Sequence, residues 1–164
     1  MPVLFLLRHA KSSWDDPSLS DRDRPLAPRG IRAADLMGEH LRASGVEPTV
    51  VLCSPAVRAR VTLAGLGVDW DAQFEPELYG ASEGGLLARL RRLGTEVESA
   101  LVIGHNPALE ELTLMLGGEG AALGKVQKKF PTCALATLAF DGDWSSLRPH
   151  AARLTSFVRP KDLV

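Results

Sequence analysis

The sequence has almost no charge imbalance: its 164 residues carry a formal net charge of -1. No global field therefore draws it to nucleic acid or to an anionic membrane, and any anion site must be local. It has only two cysteines, Cys53 and Cys133. Both stand beside apolar runs, the setting of reduced, buried thiols, so a disulfide is not expected. No apolar run approaches the ~20 residues that a spanning helix needs. Residues 2–7 are too short for the apolar region of a signal peptide. No basic residue precedes them and no small-residue cleavage pattern follows. These absences lead us to expect a cytoplasmic protein with no nucleic-acid or membrane partner.

Several catalytic signatures are missing too. There is no phosphate-binding loop of the Walker type and no glycine-rich dinucleotide turn after a strand. The histidines have no carboxylate or cysteine neighbours at metal-ligand spacing, so neither a metal nor another cofactor is expected. Cys53 with a following arginine invites a thiol-phosphatase reading. Arg58 falls one residue short of that loop's spacing and Arg60 one too far. Cys53 therefore reads as a buried strand-end thiol.

What remains is an ordinary globular composition, 45% hydrophobic and 24% charged, arranged as strand-then-helix units. Residues 3–7 (VLFLL), 49–53 (TVVLC) and 100–103 (ALVI) are continuous apolar runs, as in strands buried on both faces. Residues 134–140 and 151–158 read as two further strands around a "GDW" turn. Residues 74–79 read as a short extended piece. Helical spacing follows Pro28 as far as Gly45 and recurs over residues 83–93. Ser54-Pro55 and Asn106-Pro107 each read as a cap followed by a first-turn proline, opening helices to about Ala64 and Leu116. The glycine-rich residues 117–124 read as a mobile loop. This alternation predicts an α/β fold: three αβα layers, a mostly parallel central sheet, and helices on both faces. Nothing divides the chain, so one domain over residues 1–164 is expected. Oligomeric state is not legible, and an exposed tryptophan such as Trp14 or Trp144 says nothing of an interface.

In open α/β sheets, ligands sit outside the carboxyl ends of the strands. Three such ends carry chemistry: Arg8-His9, Ser54 through Arg58, and Gly104-His105-Asn106. Arginine offers a fixed fork of donors matched to phosphoryl oxygens, and histidine can be nucleophile, acid or donor. Alone, an Arg-His pair is a solvated strand end, Arg58 a surface arginine and His105 a cap. Their convergence on one sheet edge favours phosphoryl transfer, where positioning and positive charge do most of the work. His40 and His150 read as solvated. Arg89, Arg91 and Arg92 read as a solvated helix face.

The same residues carry a family resemblance. "LLRHAKSSW" resembles the Arg-His-Gly signature of the histidine phosphatase superfamily, the phosphoglycerate-mutase-like proteins, with Ala10 where glycine is common. "CSPAVRARVT" is similar to its second motif and places the second arginine at Arg58. "VIGHNPALEEL" is similar to its third and places the second histidine at His105. "SDRDRPLAPRG" and "PELYGAS" are similar to its SixA-type phosphohistidine phosphatase branch.

The resemblance implies that His9 attacks phosphorus and carries a covalent phosphohistidine, with Arg8, Arg58 and His105 clamping the equatorial oxygens. Backbone amides of residues 10–13 and the side chains of Ser12, Ser13, Arg24 and Asn106 are candidate rim contacts; Lys11 either steers anions or is solvated. Glu77 is the candidate proton donor, with Glu75 and Glu83 as rivals. A phosphohistidine substrate weakens the need for any donor, because imidazole leaves more readily than an alkoxide. No long insertion follows the three motifs apart from residues 14–28, so an open site for a phosphorylated protein is expected; the alternative is a small phosphomonoester. A non-catalytic phosphate-binding adaptor is the remaining reading.

Overall fold

The computed structural model describes the backbone of residues 1–164 and every side chain except that of Glu119. Strand β1 (Val3–Arg8) leads through a long loop to helix α1 (Pro28–Ala43). Then follow β2 (Val50–Cys53), α2 (Val57–Gly65), β3 (Ala72–Phe74), α3 (Glu83–Leu90) and β4 (Ser99–Gly104). The chain continues with α4 (Ala108–Leu116), β5 (Gly117–Glu119), α5 (Leu123–Lys128), β6 (Leu135–Phe140) and β7 (Ala152–Val158). Short 3-10 turns lie at Asp21–Asp23, Pro76–Leu78, Trp144–Ser146 and Pro160–Leu163.

The strands form one seven-stranded sheet in the order β3-β2-β4-β1-β6-β7-β5. β2, β4 and β1 pair in parallel with β3 beside them, while β6 runs antiparallel to both β1 and β7. The expected mostly parallel α/β sheet is therefore what forms. Period-two alternation splits the apolar runs between two cores. Leu4 and Leu6 of β1 with Ala100 and Val102 of β4 face α3, α4 and α5. Leu7 with Leu101 and Ile103 faces α1 and α2. Each fully buried leucine contributes roughly 1.5–3 kcal/mol relative to exposure, so both layers are held by apolar burial.

Several local expectations are corrected. Ser54-Pro55 does not open a helix: α2 begins at Val57, with Ala56 in extended conformation before it. Proline at position 55 restricts Ser54 away from helical angles, and the Ser54 hydroxyl accepts from Ala56 N–H at 3.3 Å while meeting His105. α4 likewise begins two residues beyond Asn106. α3 ends at Leu90 rather than Leu93. Within residues 117–124, Gly117–Glu119 pairs with β7 as an edge strand and α5 starts at Leu123, and Gly117, Gly118 and Gly120 serve close backbone approach rather than a free loop. Trp144 is buried, its indole N–H donating to the Val97 carbonyl at 2.8 Å. Arg89 is not solvated either: it grips Glu75 through two bonds of 2.7 and 2.9 Å. Arg91 donates to the Leu147 carbonyl at 2.7 Å. No helix among the described residues is long and apolar enough to cross a membrane.

Candidate functional site

The parallel pairing of β2, β4 and β1 brings Arg8-His9, residues 54–58 and His105 to one edge of the sheet, in adjacent strands. His9 and His105 face each other with ring centroids 5.1 Å apart. The Nδ1 of His9 lies 2.7 Å from the carbonyl of Ala10. A carbonyl can only accept, so Nδ1 carries the proton and Nε2 presents a lone pair. Burial, more than neighbouring charge, pushes the His9 pKa down to about 3; His105, Arg58 and Arg8 push the same way, while the Ala10 bond opposes them. The two arginines favour the neutral ring but are a smaller cause than burial. His105 falls to about 4, again first by burial and then by Arg58 and Arg8, with Asp21 opposing. Its Nε2 sits 2.7 Å from the Ser54 hydroxyl.

Arg8 donates from Nη1 to the Phe130 carbonyl at 3.0 Å. Its Nε is the one buried side-chain nitrogen or oxygen without a partner among the described residues. Such a group costs free energy unless a ligand accepts from it. Arg58, 8% exposed, enters from the first turn of α2. Its Nη1 donates to the Asp21 carbonyl at 2.7 Å, and its Nη2 pairs with the Asp21 carboxylate at 3.0 Å.

Sequence reasoning missed three of these partners. Asp21 binds Arg58, Arg24 and, at 2.5 Å, the Tyr79 hydroxyl. The Tyr79 bond leads the causes that lower its pKa to about 2. Thr62, fully buried, accepts from Ala10 N–H at 2.9 Å and donates to the Arg58 carbonyl at 2.7 Å, so it ties the loop after β1 to α2. Tyr79 packs its ring edge on His105, centroids 5.6 Å apart. The carboxylate among the cations of "SDRDR" was the available signal for Asp21. Thr62 and Tyr79 fall inside the stretches "CSPAVRARVT" and "PELYGAS", but their partners lie on elements distant in sequence.

The rim candidates are held by the protein itself. Arg24 donates to the Ser13 carbonyl (3.1 Å), to Asp21 (3.1 Å) and to the Ser12 hydroxyl (2.6 Å), and stacks on Trp14. Ser13 N–H donates to the Pro25 carbonyl at 2.8 Å, and the Ser13 hydroxyl accepts from Asp15 N–H at 3.1 Å. Ser12 and Ser13 therefore close the loop onto Arg24. Two of the amides expected to reach a ligand, those of Ala10 and Ser13, are spent on Thr62 and Pro25. Asn106 donates to the same Phe130 carbonyl as Arg8 and accepts from Glu110 N–H, bracing the Arg8 contact.

Glu77 is half-exposed and faces Arg92 at 3.5 Å. Glu75 is taken by Arg89. Glu83 stands at the start of α3, where Glu111 beside it holds its carboxyl below the usual range. Cys53 and Cys133 are buried free thiols, and burial raises each to about 12. Beside His105, residues 78–82 and 104–108 enclose a pocket of about 250 Å³.

A buried neutral histidine among guanidinium groups, at the carboxyl edge of a sheet in this strand order, defines a phosphoryl-transfer architecture. The chain belongs to the histidine phosphatase superfamily, whose branch 1 pattern matches residues 4–86. It is 42% identical over 159 residues to the uncharacterized protein Rv1276c of Mycobacterium tuberculosis, covering 94% of this chain and 100% of that one. It is 34% identical over 144 residues to the phosphohistidine phosphatase SixA of Escherichia coli, covering 84% and 85% of the two chains. The solved structure of a putative SixA from Nakamurella multipartitia superposes with a TM-score of 0.87 at 30% identity, over 97% of this chain and 96% of that one. The protein is accordingly a phosphatase of this superfamily.

Proposed function

We propose that this phosphatase hydrolyses phosphohistidine on a protein, through a phosphoryl group carried on His9. The observation that carries the reading is the His9 Nδ1 bond to the Ala10 carbonyl, which leaves a neutral ring with Nε2 free beside Arg8 and Arg58. Nε2 attacks phosphorus in line, the phosphorus–nitrogen bond of the substrate breaks, and the leaving imidazole takes a proton from solvent. Arg8, through its unpartnered Nε, Arg58 and His105 bind the equatorial oxygens, where charge is spread in the transition state. Water then attacks phosphorus, the bond to Nε2 breaks, and inorganic phosphate leaves with His9 neutral again. The two guanidinium groups supply the positive charge, so the reading assigns no role to a metal or other cofactor.

An imidazole leaving group asks little of a proton donor, which fits Glu77 standing against Arg92. Only residues 54–56 and 105–107 separate β2 and β4 from their helices, so neither connection adds a lid to the long loop after β1, whose Asp21 reaches Arg58. Those features, with the phosphohistidine phosphatases among its relatives, support a phosphotransfer-type protein as substrate over a small phosphomonoester. Mass spectrometry after brief reaction and an acid-free quench is expected to find phosphate on His9. His9→Ala is expected to lower turnover ~10³-fold or more with the fold retained. Activity surviving that change, or higher kcat/KM on small phosphomonoesters than on a phosphohistidine protein, overturns the reading.

A further inference from the structure

The same sheet edge carries a feature that the His9 cluster does not use. Between α1, α5 and the 3-10 turn Pro160–Leu163 lies a groove of about 610 Å³. The chain contains five lysines, Lys11, Lys125, Lys128, Lys129 and Lys161, and all five line this groove, joined by Arg29. Arg159 lines it too but is spent on Asp162. No acidic residue lines it. The C-terminal dipole of α5 accounts for lysines in its last turn. It does not account for Lys11, Arg29 and Lys161, which arrive from three other segments. Arg92, by contrast, faces a carboxylate, that of Glu77, at 3.5 Å.

The register places the groove beside the reacting centre. Leu7 of β1 pairs with Leu135 of β6, and Leu135 with Val158 of β7. Lys11 leaves β1, Pro131 and Thr132 enter β6, and Lys161 leaves the segment after β7, all at the end of the sheet where His9 lies. Phe130, whose carbonyl holds Arg8, falls between Lys129 and Pro131 of the lining.

We propose that this groove docks an acidic face of the protein substrate while its phosphohistidine enters the His9 cluster. This rests on the phosphoprotein reading above. Exposed lysines are single charges on long flexible stems, suited to an irregular field of carboxylates. A compact oligophosphate would instead call for converging, buried, fork-like donors. Electrostatic complementarity of this kind acts mainly on encounter and is screened by salt.

The test uses a fluorescein-labelled peptide rich in Asp and Glu, without phosphate, so that binding is read apart from catalysis. Fluorescence anisotropy is expected to show binding that weakens steeply with salt. It should fall ~10-fold or more in Lys125→Glu/Lys128→Glu/Lys129→Glu and stay unchanged in the exposed control Arg32→Glu. Turnover of a small phosphorylated substrate is expected to be unchanged in the triple variant. If α5 does not tolerate three changes, Arg29→Glu/Lys161→Glu is expected to give the same loss. Absent peptide binding, binding indifferent to these changes, or tighter binding of inorganic tripolyphosphate at the same lysines overturns the docking proposal. Peptide binding intact beside an inability to hydrolyse phosphohistidine overturns the catalytic reading alone.

Discussion

Asp21 stands where a substrate oxyanion would compete with it. Both Nη atoms of Arg58 donate to this residue, one to its carboxylate and one to its backbone. The carboxylate is also held by Tyr79 and Arg24, so it is strongly committed to its ionised form. A phosphoryl group near His9 would share Arg58 with this negative charge. Asp21→Asn is therefore expected to tighten competitive inhibition by inorganic phosphate, lowering Ki by ~3–10-fold. A Ki that rises instead would mean that aiming Arg58 outweighs the repulsion. The carboxylate was visible in "SDRDRPL", but its partner was not, because Arg58 lies 37 positions along the chain.

The seat of α1 explains the glycine of the same stretch. Gly30 lies in the first turn of α1, and a Cβ there would overlap the Lys11 carbonyl oxygen and meet the Lys11 amide nitrogen at 2.9 Å. That carbonyl accepts from Ala27 N–H at 2.9 Å, so α1 rests on the loop that follows His9. Gly30→Ala is expected to cost ~1–3 kcal/mol through forced displacement and to lower kcat as well, because the loop carrying Ala10 must move. Thermal unfolding and steady-state kinetics together check it. Gly84→Ala, at an exposed position in α3 whose Cβ would meet only the Ser82 hydroxyl at 3.9 Å, is the control expected to leave both unchanged or stability slightly raised. Elements of this kind were legible as units in the sequence. The starts of α1 and α3, at Pro28 and Glu83, were legible too, but those of α2 and α4 were not, since Pro55 and Pro107 precede helices that begin two and one residues later.

For the molecule as a whole, the buried imidazoles set an acid limit. His9 and His105 have folded pKa values of about 3 and about 4, below the ordinary 6.5. Between those values the unfolded chain binds more protons than the folded one, so stability falls as pH falls. The contribution is fully present above about pH 6.5 and is lost as pH drops toward 4 and then 3, by up to ~1.4 kcal/mol per unit for each group. Asp21, lowered from 3.8 to about 2, adds to the loss only below about pH 4. Urea denaturation in phosphate-free buffer is expected to show a midpoint that declines from pH 7 to pH 5, with a shallower decline in His9→Gln/His105→Gln. A wild-type midpoint that is flat over that interval would contradict this.

The sequence by itself determined the layered α/β sheet, the three strand ends and the quartet Arg8, His9, Arg58 and His105. Apolar runs must be covered on both faces, and parallel neighbours must present their carboxyl ends together. Tertiary structure alone decided which polar groups remain available to a ligand. Arg24, Ser12 and Ser13 closed on one another, Thr62 crossed between elements, and Arg8 kept a buried Nε without a partner. Hydrogen bonds between residues far apart in the chain leave no periodic trace in sequence. The gathering of every lysine into one groove is of the same kind, because their convergence depends on the register of β1, β6 and β7.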